Sequence, residues 1–139
     1  MIVVFLDSNV LISALIGSPQ SAPVILVDWL AGNSSARLVT ARCCVREVEK
    51  NVTQKLPQAL PLWKQFLAAS GIEIVPCPQR VVSGINGKDA AIVAAAISAK
   101  ATHFVTGDKR LLAEMRAGKS RFPPAVSPRG MLEAMVVPY

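Results

Sequence analysis

Apolar positions along this chain follow two rhythms. Residues 2–6 (IVVFL) are apolar without a break, which predicts a short strand covered on both faces of a parallel sheet. Shorter runs at 37–40 (RLVT), 72–75 (IEIV), 103–106 (HFVT) and 124–127 (PAVS) read as four more strands. Between them the apolar residues recur at helical spacing. Residues 8–17 predict a helix stopped by Gly17, and 22–31 a second ended by Gly32. The stretch 41–52 sets Cys44, Val45, Val48 and Val52 on one face. A helix over 58–69 follows Pro57, with Pro61 in its first turn. Residues 88–100 are alanine-rich and apolar nearly all round, so that helix is expected to be buried. Helices from Asp108 to about Met115 and over 129–136 complete the set. Strands alternating with helices predict an α/β fold, three-layered and with a five-stranded, mostly parallel sheet and right-handed crossovers.

Composition narrows the class. The 139 residues suit one domain, 1–139, and 52% hydrophobic against 17% charged residues exclude a disordered chain. The opening residues lack a basic leader and a small-residue cleavage site, so no signal peptide is expected. No apolar run is long enough for a membrane span. The cysteines are Cys43, Cys44 and Cys77, an odd number with two adjacent, which predicts reduced thiols in a cytoplasmic protein. With no C-x-x-C pair and a single histidine, His103, a zinc site is not expected. His103 opens a strand and reads as structural. The net charge is +6, which permits a polyanionic partner.

The placement of the acids gives that charge a meaning. Asp7 stands inside the apolar run VVFLDSNVLI, where a carboxylate needs a partner or a cation. It follows the first strand directly, and Asp108 follows the fourth with only Gly107 between. Asp89 opens the alanine-rich helix, and Glu47 lies in the first half of the helix after the second strand. In a parallel α/β sheet all four reach the carboxyl edge, where ligands bind. Taken singly, Asp7, Asp89 and Asp108 each suit a helix cap, and Ser8 can cap the first helix as well as Asp7. Taken together, four carboxylates repel one another unless a cation sits among them, and hard oxygen donors suit Mg²⁺ or Mn²⁺. Periodicity leaves Glu47 and Glu49 both open. Beyond the four acids, five remain against fifteen Lys and Arg, about +10. An acidic pocket in a basic body suits metal-dependent chemistry on a polyanion. Arg42, Arg46, Lys88, Lys109 and Arg110 are the candidate phosphate contacts near that edge.

Four segments together resemble the PIN-domain family: VFLDSNVLIS (4–13), REVEKNV (46–52), KDAAIVAAAISAKATHFVTGD (88–108) and VSPRGML (126–132). The resemblance spans nearly the whole chain. It is greatest to the bacterial and archaeal branch counted among the toxins of toxin–antitoxin systems. It implies a metal-dependent ribonuclease using Mg²⁺ or Mn²⁺, with Asp7, Glu47, Asp89 and Asp108 as catalytic and metal-binding carboxylates. It also favours Glu47 over Glu49. It implies that Ser8 and Asn9 orient Asp7 and that Thr106 supports the metal or a water. An RNA substrate and a cognate antitoxin follow as partners. A homodimer face is conceivable on 22–31 and 58–69, with Trp29 and Trp63, although core packing is the commoner use of either tryptophan.

Other phosphate chemistry fits less well. AEMRAGKS (113–120) matches a relaxed Walker pattern, but a helix precedes it where a strand is required. GINGKD (84–89) lacks the following Ser or Thr, and no G-x-G-x-x-G is present. A phosphatase-like aspartate site needs a second acid two residues after Asp7, where Asn9 stands. An RNA-binding PIN module with little or no activity is the remaining alternative.

Overall fold

The computed structural model describes residues 1–136. Five parallel strands form one sheet in the order β3-β2-β1-β4-β5. They are β1 (Ile2–Leu6), β2 (Ala36–Ala41), β3 (Glu73–Val75), β4 (His103–Val105) and β5 (Ala125–Val126). The helices are α1 (Ser8–Ile16), α2 (Ala22–Ala31), α3 (Arg42–Lys55), α4 (Leu60–Ser70), α5 (Gly87–Ser98), α6 (Lys109–Ala117) and α7 (Pro128–Val136). The α/β alternation read from the sequence is thus observed, with strand and helix ends shifted by up to three residues, the largest shift being at the end of α3. One expected helix differs in another way. Its first residues form a separate 3₁₀ turn, Pro57–Ala59, and α4 starts at Leu60 with Pro61 in its first turn.

β1 takes the central place because it has no polar side chain to keep wet. Val4, Phe5 and Leu6 are fully buried. Phe5 stacks on Phe104 of β4 with ring centroids 5.2 Å apart. Strand order then fixes the layers. The chain steps from β1 to β2 to β3 in one direction, and α5 returns it across the sheet to β4. Right-handed crossovers place helices of opposite steps on opposite faces. α1–α4 pack on one another, and α5 buries Ala90 and Ile92 to Ala96. The direction reverses between β1 and β4. That is the switch point of an open α/β sheet, and its crevice lies beyond the strands' carboxyl ends.

Two expectations about side chains change. Cys43 and Cys77 are joined by a disulfide, with Cα atoms 5.9 Å apart, so only Cys44 is a free thiol. The odd count hid this pair, because the adjacent Cys44 points into the core while Cys43, one residue back on α3, faces the segment after β3. Trp63 is fully buried against Phe66, as core packing requires, whereas Trp29 is 51% exposed on α2. No helix among the described residues is long and apolar enough to cross a membrane.

His103 lies at the amino edge, its Nδ1 3.0 Å from Thr102 Oγ1. That hydroxyl donates to the Val3 carbonyl and accepts the Val3 N–H. Burial holds His103 below its ordinary 6.5. The unfolded chain therefore takes up the proton first as pH falls. The stability of the wild type relative to His103→Gln should decline on acidification from about pH 6.5 to the depressed pKa, as read by urea midpoints across pH. Phe104→Ala, which empties a fully buried ring position, should cost about 3–5 kcal/mol in the same assay.

Candidate functional site

The carboxyl edge is built outward from Asp7, which is 4% exposed. It occupies the N-cap of α1, and its Oδ1 accepts the Ser8 N–H at 2.8 Å. Of the two candidate caps, Asp7 and Ser8, the structure uses Asp7. Ser8 is the first helical residue, and its backbone rather than its hydroxyl meets the acid. Oδ2 of Asp7 accepts from the Thr106 hydroxyl at 2.7 Å and from Asn9 Nδ2 at 3.2 Å. Every contact to this carboxylate is a donor, so the surroundings are built for its ionised form. Burial nevertheless raises its pKa most, with Glu47 and Asp89 adding repulsion, against the lowering effect of Thr106 and Ser8.

Thr106 and Asn9 form the junction between β1 and β4. Thr106 Oγ1 also accepts the Asp108 N–H at 3.1 Å and bonds Asn9 Nδ2 at 3.2 Å. The Gly107 N–H donates to Asn9 Oδ1 at 2.8 Å. A Cβ at Gly107 would stand 3.2 Å from that same oxygen, which explains the glycine between Thr106 and Asp108. Asp108 caps α6, its Oδ1 accepting the Arg110 and Leu111 N–H groups. Asp89 does not cap α5. Asn86 does so by accepting the Lys88 N–H, which leaves the Asp89 carboxylate uncommitted in the first turn. Burial and then Asp108 raise the Asp89 pKa.

These residues line one cleft of about 420 Å³. Its walls hold all four expected acids, Asp7, Glu47, Asp89 and Asp108, together with Ser8 and Asn9. Glu47 is on the cleft, and Glu49 is not among its lining residues. Of the expected phosphate contacts, Lys88 and Arg110 reach the cleft. Arg46 lines an adjoining groove, Arg42 lies on a hollow beside Cys77, and Lys109 lines none of these. Lys109 and Arg42 follow the strand ends in sequence, but the helical turn carries both side chains away from the crevice. Arg110 also lies 3.6 Å from Glu114.

Sequence reasoning missed two neighbours. Asn51 lines the cleft one turn after Glu47, its Nδ2 donating to the Glu47 carbonyl; the four-residue spacing was the available signal. Glu114, on α6 beyond the Asp108 cap, reaches the Asn86 N–H and adds to the repulsion on Asp89. Behind the cleft, burial pushes the Cys44 thiol up to about 12, with Asp7 adding to the effect, so it is neither a thiolate ligand nor a nucleophile at neutral pH.

The sequence pattern of the PIN domain matches residues 4–117. The chain belongs to the PIN-domain family. Among solved structures, the crystal structure of VapBC2 from Rickettsia felis, bound to a DNA fragment from their promoter, shares the fold with a TM-score of 0.63. The match has 18% sequence identity and covers 91% of this chain and 97% of that one. No curated protein matches in sequence. PIN domains are generally nucleases that use divalent metal ions.

The donor set here fits such an ion. It is all hard oxygen, four carboxylates share the cleft walls with Lys88 and Arg110, and Asp7 and Asp89 are raised first by burial and then by acidic neighbours. Among the described residues no three of these groups are already drawn into a cage. Millimolar Mg²⁺ or Mn²⁺ should raise the melting temperature of this PIN domain by several degrees. Asp7→Asn should remove most of that gain, as read by thermal denaturation with and without chelator.

Proposed function

We propose that this PIN domain is a Mg²⁺- or Mn²⁺-dependent endoribonuclease acting in the cytoplasm as the toxin of a toxin–antitoxin pair. The observation that carries the reading is the single cleft in which four carboxylates from distant sequence meet beside Lys88 and Arg110. The likeness in fold to a chain of VapBC2 supports the toxin assignment and a cognate antitoxin as partner.

The chain's residues divide the work. Asp7, Glu47, Asp89 and Asp108 hold the cation. Thr106 and Asn9 both donate to Asp7 Oδ2 and fix the plane of its carboxylate. Lys88 and Arg110 take the phosphate oxygens of the strand. A divalent cation, when bound, supplies positive charge for activating water and for the phosphate during in-line displacement. No histidine has a part, since His103 lies at the opposite edge of the sheet.

A competing reading, an RNA-binding module with little or no activity, is favoured by the lack of a pre-drawn cage of acids among the described residues. One assay separates the two. The wild type should cleave single-stranded RNA with Mn²⁺ or Mg²⁺ and stop with chelator. Asp7→Asn and Asp89→Asn should each lose roughly 100-fold or more while remaining folded, a larger loss than for Thr106→Val, expected at about 10–100-fold. Binding without cleavage in Mn²⁺ would sink the nuclease reading.

A further inference from the structure

A second groove, of about 630 Å³, opens from the acid cleft along α3. The two share Glu47, Asn51 and Lys88, so they form one continuous channel. Helical geometry explains the change of character along it. Glu47 and Asn51 are four residues apart and face the cleft, while Arg46, Lys50 and Gln54 form the neighbouring row at the same spacing. Lys55 closes the far end and Lys88 stands at the join.

The cations of this groove form no ion pair among the described residues. Among the described residues the ion pairs are Arg37–Glu73, Arg110–Glu114 and Arg129–Glu133. Arg46, Lys50, Lys55 and Lys88 are in none of them. Lys55, in the last turn of α3, also suits the helix's carbonyl end; Arg46 and Lys50 have no such role. Three unpaired cations on α3, with Lys88 of α5 at the join, lead away from a cluster of acids and are arranged for a chain of phosphates that enters the acid cleft at one point.

We infer that the groove beside α3 is the track of the substrate: it holds the single-stranded RNA flanking the cleaved bond, with Lys50 and Lys55 as phosphate contacts remote from the chemistry. The inference rests on the nuclease reading above. It goes further in naming the path the strand takes and in assigning a binding role to residues outside the acid cleft.

The test is the salt dependence of binding to a labelled single strand of about 12 nucleotides, in chelator to stop metal-dependent cleavage. Lys50→Gln/Lys55→Gln should bind more weakly than the wild type, and its slope of log affinity against log salt should be shallower by about 1.4, or about 0.7 per lost contact. The control pair Lys64→Gln/Lys119→Gln, away from the groove, should keep the wild-type slope. Equal loss in both pairs, or an unchanged slope for Lys50→Gln/Lys55→Gln, overturns the track alone. So does an equal slope change on a duplex of the same length. No binding by the wild type overturns the track alone, because the nuclease reading stands or falls on cleavage with Mn²⁺ or Mg²⁺.

Discussion

The hydrogen bond from the Thr106 hydroxyl to Asp7 Oδ2 is the contact on which the rest of the site depends. It joins the end of β1 to the end of β4 across the point where strand order reverses. Asn9 completes the junction by donating to the same carboxylate and to Thr106 while accepting from Gly107. With β1 and β4 locked in this way, the backbone that follows each strand has a fixed direction. α1 begins under the Asp7 cap and α6 under the Asp108 cap. A buried acid that would otherwise oppose folding becomes one corner of a cleft that three other acids also line.

Opposite charges are kept apart over a short distance. The cleft gathers the acids, and the adjoining wall of α3 gathers unpaired cations. Neither arrangement helps the chain to fold. Burial and then neighbouring acids raise the pKa values of Asp7 and Asp89, and exposed lysines contribute little to stability. Both become favourable once a cation enters the cleft and a phosphate chain lies along the groove. The stability sacrificed at this edge is made up elsewhere, in the all-apolar β1, the stacked Phe5–Phe104 pair and the alanine-rich α5 packed on the sheet.

Much of this was legible beforehand because the relevant signals are local. An unbroken apolar run announced β1, glycines marked the ends of α1 and α2, and an acid directly after a strand must lie at the carboxyl edge. The topology then supplied the convergence of Asp7, Glu47, Asp89 and Asp108 on one cleft. The misreadings arose where direction rather than position decides. Ser8 and Asp7 both suit an N-cap, and only the dihedral angles at the turn show that Asp7 occupies it. Arg42 and Lys109 sit at the right edge but rotate away from the crevice. Cys43 and Cys77 meet because the end of β3 runs beside the start of α3, a tertiary neighbourhood that an odd cysteine count conceals. Asn51 and Glu114 entered the site's surroundings from one turn and one helix further than the acid pattern suggested.

The central claim is that the Asp7 corner belongs to a divalent cation site. The most direct measurement is anomalous diffraction from crystals of the protein grown with Mn²⁺. The account predicts a manganese peak inside the cleft, within coordination distance of Asp7 directly or through one water, and its loss in Asp7→Asn crystals. A cleft without a peak at saturating Mn²⁺, or a peak held elsewhere on the molecule, would contradict it.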